Sequence, residues 1–401
     1  MKINEDKPMA KSIKKGFLLC LCVILLMLLV TVLSYRLIIP DRYTSARGEM
    51  PSYPLLTACS APTSTATETV RYDLFGVVPL KSVKVTRLSE VKLYAGGMPF
   101  GIKFMTSGVM VVGFCGVDTK EGEKNPSLDA GLCVSDVIKS IDGKEIKSTA
   151  QLTEIVEASG GRALEVKYTR GGKENKAVLT PAYSEAEGKY KTGIYVRDSG
   201  AGIGTVTFID PESFSFGGLG HGICDAESGS LVEMERGSVT DVTISGVVRG
   251  EVGAPGEIKG YFNSEKEGSL LHNTDCGVFG MFASLPEVDL GEPMPVASRG
   301  ELKTGKAHIL CTLDTNKIEK YEIEISNIDL GAKGNKCFCI KVTDKSLLDK
   351  TGGIIQGMSG SPIIQDGKIV GAVTHVLIND PTRGYGIFIE NMLIKMGDLM
   401  G

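Results

Sequence analysis

Tryptophan is absent from the 401 residues, and histidine occurs only as His221, His272, His308 and His375. Any chemistry that needs an imidazole therefore has four places to find one. A basic excess is also missing. Lys and Arg number 44 against 48 Asp and Glu, a formal net charge of −4, which excludes the electrostatic footprint of a nucleic-acid binder. The ten cysteines contain no C-x-x-C pair, so neither a zinc site nor a disulfide framework is expected. Cys20 and Cys22 fall in an apolar run, and Cys59 in a stretch rich in Pro, Ser and Thr. Cys337 and Cys339 are two apart in an alternating segment, expected on one face of a strand. What is abundant is glycine, 50 residues, which points to many tight turns and close backbone approaches. With 42% hydrophobic and 23% charged residues, the chain is not disordered, and its length implies two or three domains.

Residues 1–15 carry Lys2, Lys7, Lys11, Lys14 and Lys15 against Glu5 and Asp6. Gly16 to Leu33 then bears no charge, and the apolar character resumes beyond Arg36 to Ile39. That length suits a helix crossing a hydrocarbon core, and the basic leader predicts that 1–15 stay cytosolic while the rest is exported. No A-x-A-like site follows closely, which favours a retained anchor over 16–39 rather than a cleaved signal peptide. Leu56-Thr57-Ala58-Cys59 lies too far downstream to be a lipoprotein cleavage site. Residues 40–69, within a lead-in that runs to 82, contain Pro40, Pro51, Pro54 and Pro62 among Ser, Thr and Ala. They read as a flexible linker and lead-in, and as the easiest place for a protease to cut.

From 83 to 183 the pattern tightens. Val83-Lys84-Val85 and Gly108 to Gly113 read as strands. Ser148 with Gln151 offers a capping box before the helical periodicity of Leu152, Ile155 and Val156. Leu164 to Tyr168 alternates, turns through Gly171-Gly172, and returns as Ala177-Val178-Leu179, a hairpin signature. Phe100-Gly101-Ile102 resembles the apolar-Gly-apolar loop of PDZ domains. Asp129-Ala130-Gly131-Leu132 and Val134 to Lys144 resemble the bacterial PDZ segment that follows it. The resemblance implies an α+β domain that takes a peptide tail or a self-segment by strand addition, with Phe100, Gly101 and Ile102 as the peptide-binding loop.

Beyond 190 the chain reads as short strands separated by glycine turns: Gly204 to Ile209, Val239 to Val248, Lys306 to Leu313, Tyr321 to Ile325, Cys337 to Val342 and Ile369 to Leu377. Gly200-Ala201-Gly202-Ile203-Gly204 precedes a strand instead of opening a helix, so it is not a dinucleotide-binding turn. Gly357-Met358-Ser359-Gly360-Ser361-Pro362 is the strongest chemical signal. A nucleophilic hydroxyl needs a tight turn with backbone N–H groups aimed at a developing oxyanion, and flanking glycines permit both. The motif resembles that of trypsin-like serine peptidases. By that likeness Ser359 is the nucleophile, and the N–H groups of Gly357 and Ser359 form the oxyanion hole. Of the histidines, His308 and His375 lie in strands and His272 in a polar loop. His221 sits in the cluster Gly217-Gly218-Leu219-Gly220-His221-Gly222, where the backbone approaches a substrate closely, and is the candidate base. Candidate acids are Asp275, Asp329, Asp344 and Asp349.

The whole order of features resembles the SpoIVB peptidase family: a basic leader, one apolar segment, a PDZ domain, then G-G-L-G-H-G and G-M-S-G-S-P. The specific stretches are Phe216 to Ile223, Val342-Thr343-Asp344 and Thr351 to Gly371. The resemblance implies a mainly β chain with an N-terminal transmembrane helix, a PDZ domain over 83–183 and a trypsin-like double β-barrel over 190–401. It places a triad on His221, Asp344 and Ser359, with Asp349 as the neighbouring alternative acid, and implies no cofactor. Met358 stands where digestive relatives of that fold carry an ion-pairing aspartate, so their activation switch has no counterpart here. The implied role is sporulation. An exported, membrane-tethered endopeptidase, capable of self-cleavage, would pass from the forespore into the intermembrane space. There it would cut a membrane-bound regulator of an intramembrane protease and so trigger processing of a late sigma factor. The competing readings are a non-catalytic PDZ adaptor and an HtrA-like quality-control protease. In the latter the PDZ domain follows the peptidase instead of preceding it.

Overall fold

Free of charged side chains for more than four turns, the first apolar segment folds as α1 (Lys7–Ile38), and its Gly16–Ile38 part is long and apolar enough to cross a membrane. The computed structural model describes residues 7–39, 42–45, 52–60, 67–87, 91–225, 229–314 and 317–400. They fall into two units, residues 1–91 and 92–401. The leader expected at 1–15 lies outside the described residues up to position 6, and the side chains of 7–15 are likewise outside them.

In the first unit, β1 (Arg42–Ser45), β2 (Leu56–Ser60), β3 (Thr67–Leu74) and β4 (Val78–Arg87) form one sheet in the order β1-β4-β3-β2. This corrects the flexible linker expected over 40–82. Val70, Tyr72 and Leu74 alternate on β3, and Leu80, Val83 and Val85 supply the inward side of β4; all are buried, with Ile39 at the end of the helix. That period of two is enough to build a small core even in a Ser/Thr-rich stretch. The PDZ boundary expected at 83 moves accordingly, since Val83 and Val85 belong to this sheet.

The second unit opens with β5 (Lys92–Ala95) and the long β6 (Pro99–Phe114), followed by β7 (Val117–Thr119), β8 (Gly122–Lys124) and α2 (Pro126–Asp129). Next come β9 (Val137–Ile141), β10 (Lys144–Glu145), α3 (Thr149–Ala158), β11 (Leu164–Arg170) and β12 (Lys173–Leu179). Ser148 caps α3 as the sequence predicted, its Oγ accepting from Gln151 N at 3.2 Å. β11 and β12 form the expected hairpin. Val109, Val111, Leu132, Ile138, Leu152, Val156, Leu164 and Leu179 make one buried core. The buried Asp136 carboxylate takes two hydrogen bonds of 2.7 Å from Arg170.

After β13 (Ala182–Ser184) and β14 (Lys189–Lys191), the chain enters β15 (Ile194–Ile209), then β16 (Ser215–Gly218), β17 (Met234–Val248), β18 (Glu257–Thr274), β19 (Gly277–Phe282) and the short β20 (Met294–Pro295). The strands β6-β17-β18-β19-β16-β15 are neighbours in that order, and β15 also pairs with β6, so they close into a first barrel. Phe100, Val206, Phe216, Val239, Leu270 and Val278 fill it. A second barrel closes as β21 (Gly305–Cys311), β22 (Glu319–Ser326), β23 (Phe338–Val342), β26 (Asp380–Phe388), β25 (Lys368–Leu377) and β24 (Pro362–Gln365). Between its strands lies α4 (Lys345–Thr351), before β24, and α5 (Ile389–Met400) follows β26. The architecture is thus mainly β, with an apolar helix, an α+β region around β9 to β12 and two β-barrels.

Two placements differ from the sequence reading. The first barrel begins with β6, well before 190. Phe100, Gly101 and Ile102 are interior residues of that strand, all three paired to β15 on one side, Gly101 and Ile102 also to β17 on the other, and all three are buried. They do not form a peptide-binding loop. Glycine is needed at 101 for a packing reason, since a Cβ there would lie 2.3 Å from the Phe262 ring.

Candidate active site

Ser359 sits on the turn between α4 and β24, where the two barrels meet. The loop is held from the first barrel by β15. Thr205 N donates to Ser359 O at 3.0 Å, Thr205 Oγ1 to Gly357 O at 2.7 Å, and Thr207 Oγ1 to Gly360 O at 2.8 Å. Glycine is obligatory at 360, because a Cβ would stand 2.0 Å from Thr205 O and 2.5 Å from Leu219 N, with φ at +96°. Met358 is fully buried beneath the turn. The N–H groups of Met358, Gly360 and Ser361 donate to Ile355, Val373 and Met358. Among the described residues, those of Gly357 and Ser359 donate to no protein acceptor.

The Ser359 hydroxyl donates to Thr374 O on β25 at 2.9 Å. The glycine cluster carrying His221 packs on the same strand: a Cβ at Gly220 would meet Thr374 Cγ2 at 2.9 Å and Val373 O at 3.3 Å. Leu219 there adopts φ of 64° and Gly220 67°. A non-glycine residue in that region is uncommon and strained, and such strain collects at functional sites. His221 Nδ1 lies 2.8 Å from Gly222 O. A carbonyl only accepts, so this bond requires the proton on Nδ1 and leaves the Nε2 lone pair free. Burial holds the imidazole below its ordinary pKa, partly opposed by that hydrogen bond.

The ring packed against His221 is that of His375, with centroids 4.9 Å apart and planes tilted by 37°. The buried Nδ1 of His375 has no hydrogen-bond partner. Burial, then His221 and Lys336, push this group down to about 4. The sequence placed His375 in a strand, correctly, but carried no signal that the strand would bring it to His221. His272 lies in β18 instead of a loop. His308 lies in β21 opposite Glu322 and Ile364.

The candidate acids are elsewhere. Asp344 is the N-cap of α4: Oδ1 accepts from Ser346 Oγ at 2.7 Å and Leu347 N at 3.1 Å, and Oδ2 from Glu322 N at 3.2 Å. It lines a cavity of about 400 Å³ with His308, Lys306 and Glu322; neither His221 nor Ser359 borders that cavity. Asp349 is exposed and offers its backbone carbonyl to Arg249. Asp275 pairs with Lys395 at 3.5 Å, and Asp329 accepts from Gly331 N at 2.9 Å. Thus the structure brings Ser359 and His221 to one strand and gives Asp344 a capping role away from them. Among the described residues, no group of three or more His, Cys, Asp or Glu gathers to hold a metal ion. The cysteines are free thiols.

With this geometry in place, two family models match: SpoIVB peptidase S55 over residues 188–393, and a PDZ domain over 106–180. The chain belongs to the SpoIVB peptidase S55 family. It is a serine peptidase of that kind, carrying a PDZ domain. Among solved structures it is similar to the PDZ domain of the SdrC-like protein Lmo2051 from Listeria monocytogenes, at 24% identity and a TM-score of 0.19, covering 22% of this chain and 87% of that one. It is also similar to the Rv3671c protease from M. tuberculosis in its active form, at 13% identity and a TM-score of 0.30, covering 50% of this chain and 75% of that one. The PDZ match begins at 106, beyond Phe100, Gly101 and Ile102, in agreement with their place inside a barrel strand.

Proposed function

We propose that this S55 peptidase is a membrane-tethered endopeptidase in which Ser359 is the nucleophile and His221 the general base. The observation that carries the reading is the shared seat on β25. The Ser359 hydroxyl rests on Thr374 O, and the His221 ring packs against the next residue, His375. Rotation of the hydroxyl away from Thr374 lets Oγ attack the scissile carbonyl while His221 Nε2 takes its proton. The unpaired N–H groups of Gly357 and Ser359 receive the developing oxyanion. The imidazolium then protonates the leaving amine; in the second half His221 deprotonates a water that attacks the acyl carbonyl, and the departing Ser359 Oγ takes that proton back as the acid product is released.

In this reading the Gly222 carbonyl does the orienting work that a carboxylate does in the familiar triad, and the His375 ring packs against the imidazole. The family resemblance would assign the acid to Asp344; its hydrogen bonds support a capping role instead. Self-cleavage, and cleavage of a membrane-bound regulator of an intramembrane protease during sporulation, are the activities that the family membership and the N-terminal apolar helix favour. The test is to express the full chain as wild type, Ser359→Ala and His221→Ala, and follow self-generated fragments and cleavage of such a regulator in shared membranes. Both variants are expected to lose on the order of 10³-fold or more in rate. Equal processing in all three chains would overturn the assignment.

A further inference from the structure

The PDZ resemblance left open whether a peptide tail or a self-segment joins the sheet, and the pairing of β6 bears on which. The edge of β6 that a PDZ ligand would join is already paired. β15 runs antiparallel along it, from Ile194 opposite Phe114 through Val196 opposite Val111 to Arg197 opposite Met110. The other edge of β6 is taken by β9 at Val109 and Met110. Ile194, Val196 and Asp198 are half-buried, whereas Tyr195 and Arg197 are exposed. Ile194 and Val196 pack on the core that includes Leu152 and Val156 of α3, beside Ile155. Asp198 Oδ2 then accepts from Thr149 N, the first residue of α3, at 2.8 Å. An extended segment laid on a sheet edge beside a helix, with alternate side chains pocketed, is the way a peptide is received by strand addition.

We propose that Ile194–Asp198 is a resident ligand of the PDZ domain, so that the groove is filled in cis and yields only to an extended peptide of the same chemistry. That peptide presents two aliphatic side chains at alternate positions and a carboxylate at the next inward position, where α3 begins. The resident strand is hard to displace because it is tethered. Beyond Asp198 the same strand continues into the first barrel, pairing with Phe100 to Met105. A tethered segment competes at an effective concentration on the order of millimolar. A free peptide at micromolar concentration is therefore excluded.

The probe is a fluorescent nonapeptide copying residues 192–200, titrated into the full-length protein in detergent micelles. Binding to the wild type is expected only toward millimolar concentration. Binding to the Val196→Ser/Asp198→Asn double variant should be at least ten-fold tighter, and a peptide carrying those two changes should bind neither protein. Equal affinity for wild type and variant would overturn the proposal. Hydrogen exchange on the wild type gives an arm that does not depend on the variant folding. Under saturating peptide, amides 194–198 should exchange faster while those of 205–209 stay protected. Unchanged protection of 194–198 would mean the peptide does not compete for the groove, and would also overturn it. Neither arm reads peptidase activity, so the outcome is independent of the roles of Ser359 and His221.

Discussion

The two barrels of the peptidase region are built differently. The second closes on six strands between Gly305 and Phe388, all from one continuous stretch of chain, with Ile309, Ile323, Ile340, Ile363 and Val373 buried. The first borrows. Its β6 and β15 are each 16 residues long, and their far ends are strands of the PDZ domain. A strand shared between two cores couples their stabilities, because unfolding one core removes support from a strand that the other also uses. The PDZ domain is therefore fused to the peptidase through two strands. The Ser359 loop belongs to the second barrel, yet it is held by Thr205 and Thr207 of the shared strand.

The sharpest challenge to that picture is at the seam. Gly360→Ala puts a methyl where Thr205 O and Leu219 N already stand, in a left-handed backbone conformation. A loss of about 3 kcal/mol or more in stability is expected, together with loss of processing. A thermal melt and a processing assay read both; a variant with full activity would show that the two barrels are not locked there. Next in size is the buried carboxylate of the PDZ core. Asp136→Ala removes the carboxylate from Arg170, which keeps only the Gly131 carbonyl, and about 2–4 kcal/mol of destabilisation is expected. Because β6 and β15 are shared, calorimetry should show the PDZ and first-barrel transitions moving together. A PDZ domain that melts alone, with the peptidase still active, would break the comparison.

Asp344→Ala tests the second barrel's own architecture. As the N-cap of α4 it should cost about 1 kcal/mol and leave cleavage within a few-fold of wild type. A fall on the order of 10⁴-fold with unchanged melting would return Asp344 to the triad. A last effect is set by pH. His308 and His375 are both pushed down to about 4, chiefly by burial. The folded state thus binds fewer protons than the unfolded chain between the ordinary value near 6.5 and about 4. Their contribution to stability is complete above 6.5 and is lost as the pH falls toward 4. Denaturant melts across that range should show a shallower decline in His375→Gln than in the wild type.

Much of this was legible in the chain. The strands of the second barrel, the α3 cap and the β11–β12 hairpin follow from short-range patterns, because period-two alternation, glycine turns and capping residues act within a few positions. The sheet of β2, β3 and β4 was equally patterned, in Val70, Tyr72 and Leu74. There the composition of prolines and hydroxyls outweighed the alternation. Ser359 and His221 stood out because each needs glycine beside it, and that requirement is local.

Pairing across long separations was not legible. Phe100-Gly101-Ile102 fits a PDZ loop as a string, and only the presence of β15 and β17 on its two sides makes it the interior of a barrel. His375 reads as one more strand residue until the Gly217–Gly222 cluster folds onto β25. Asp344 reads as an acid until α4 needs a cap.

By itself the sequence determined that glycine-flanked serine and histidine were available for catalysis, with only four imidazoles to choose among. The tertiary structure decided which imidazole packs beside the serine's strand, which carbonyl holds its proton, and that the PDZ groove is filled by the chain itself. The reason is physical: turns and caps are settled by neighbours in the chain, whereas strand partners and ring contacts are settled by whichever distant segment buries the same surface.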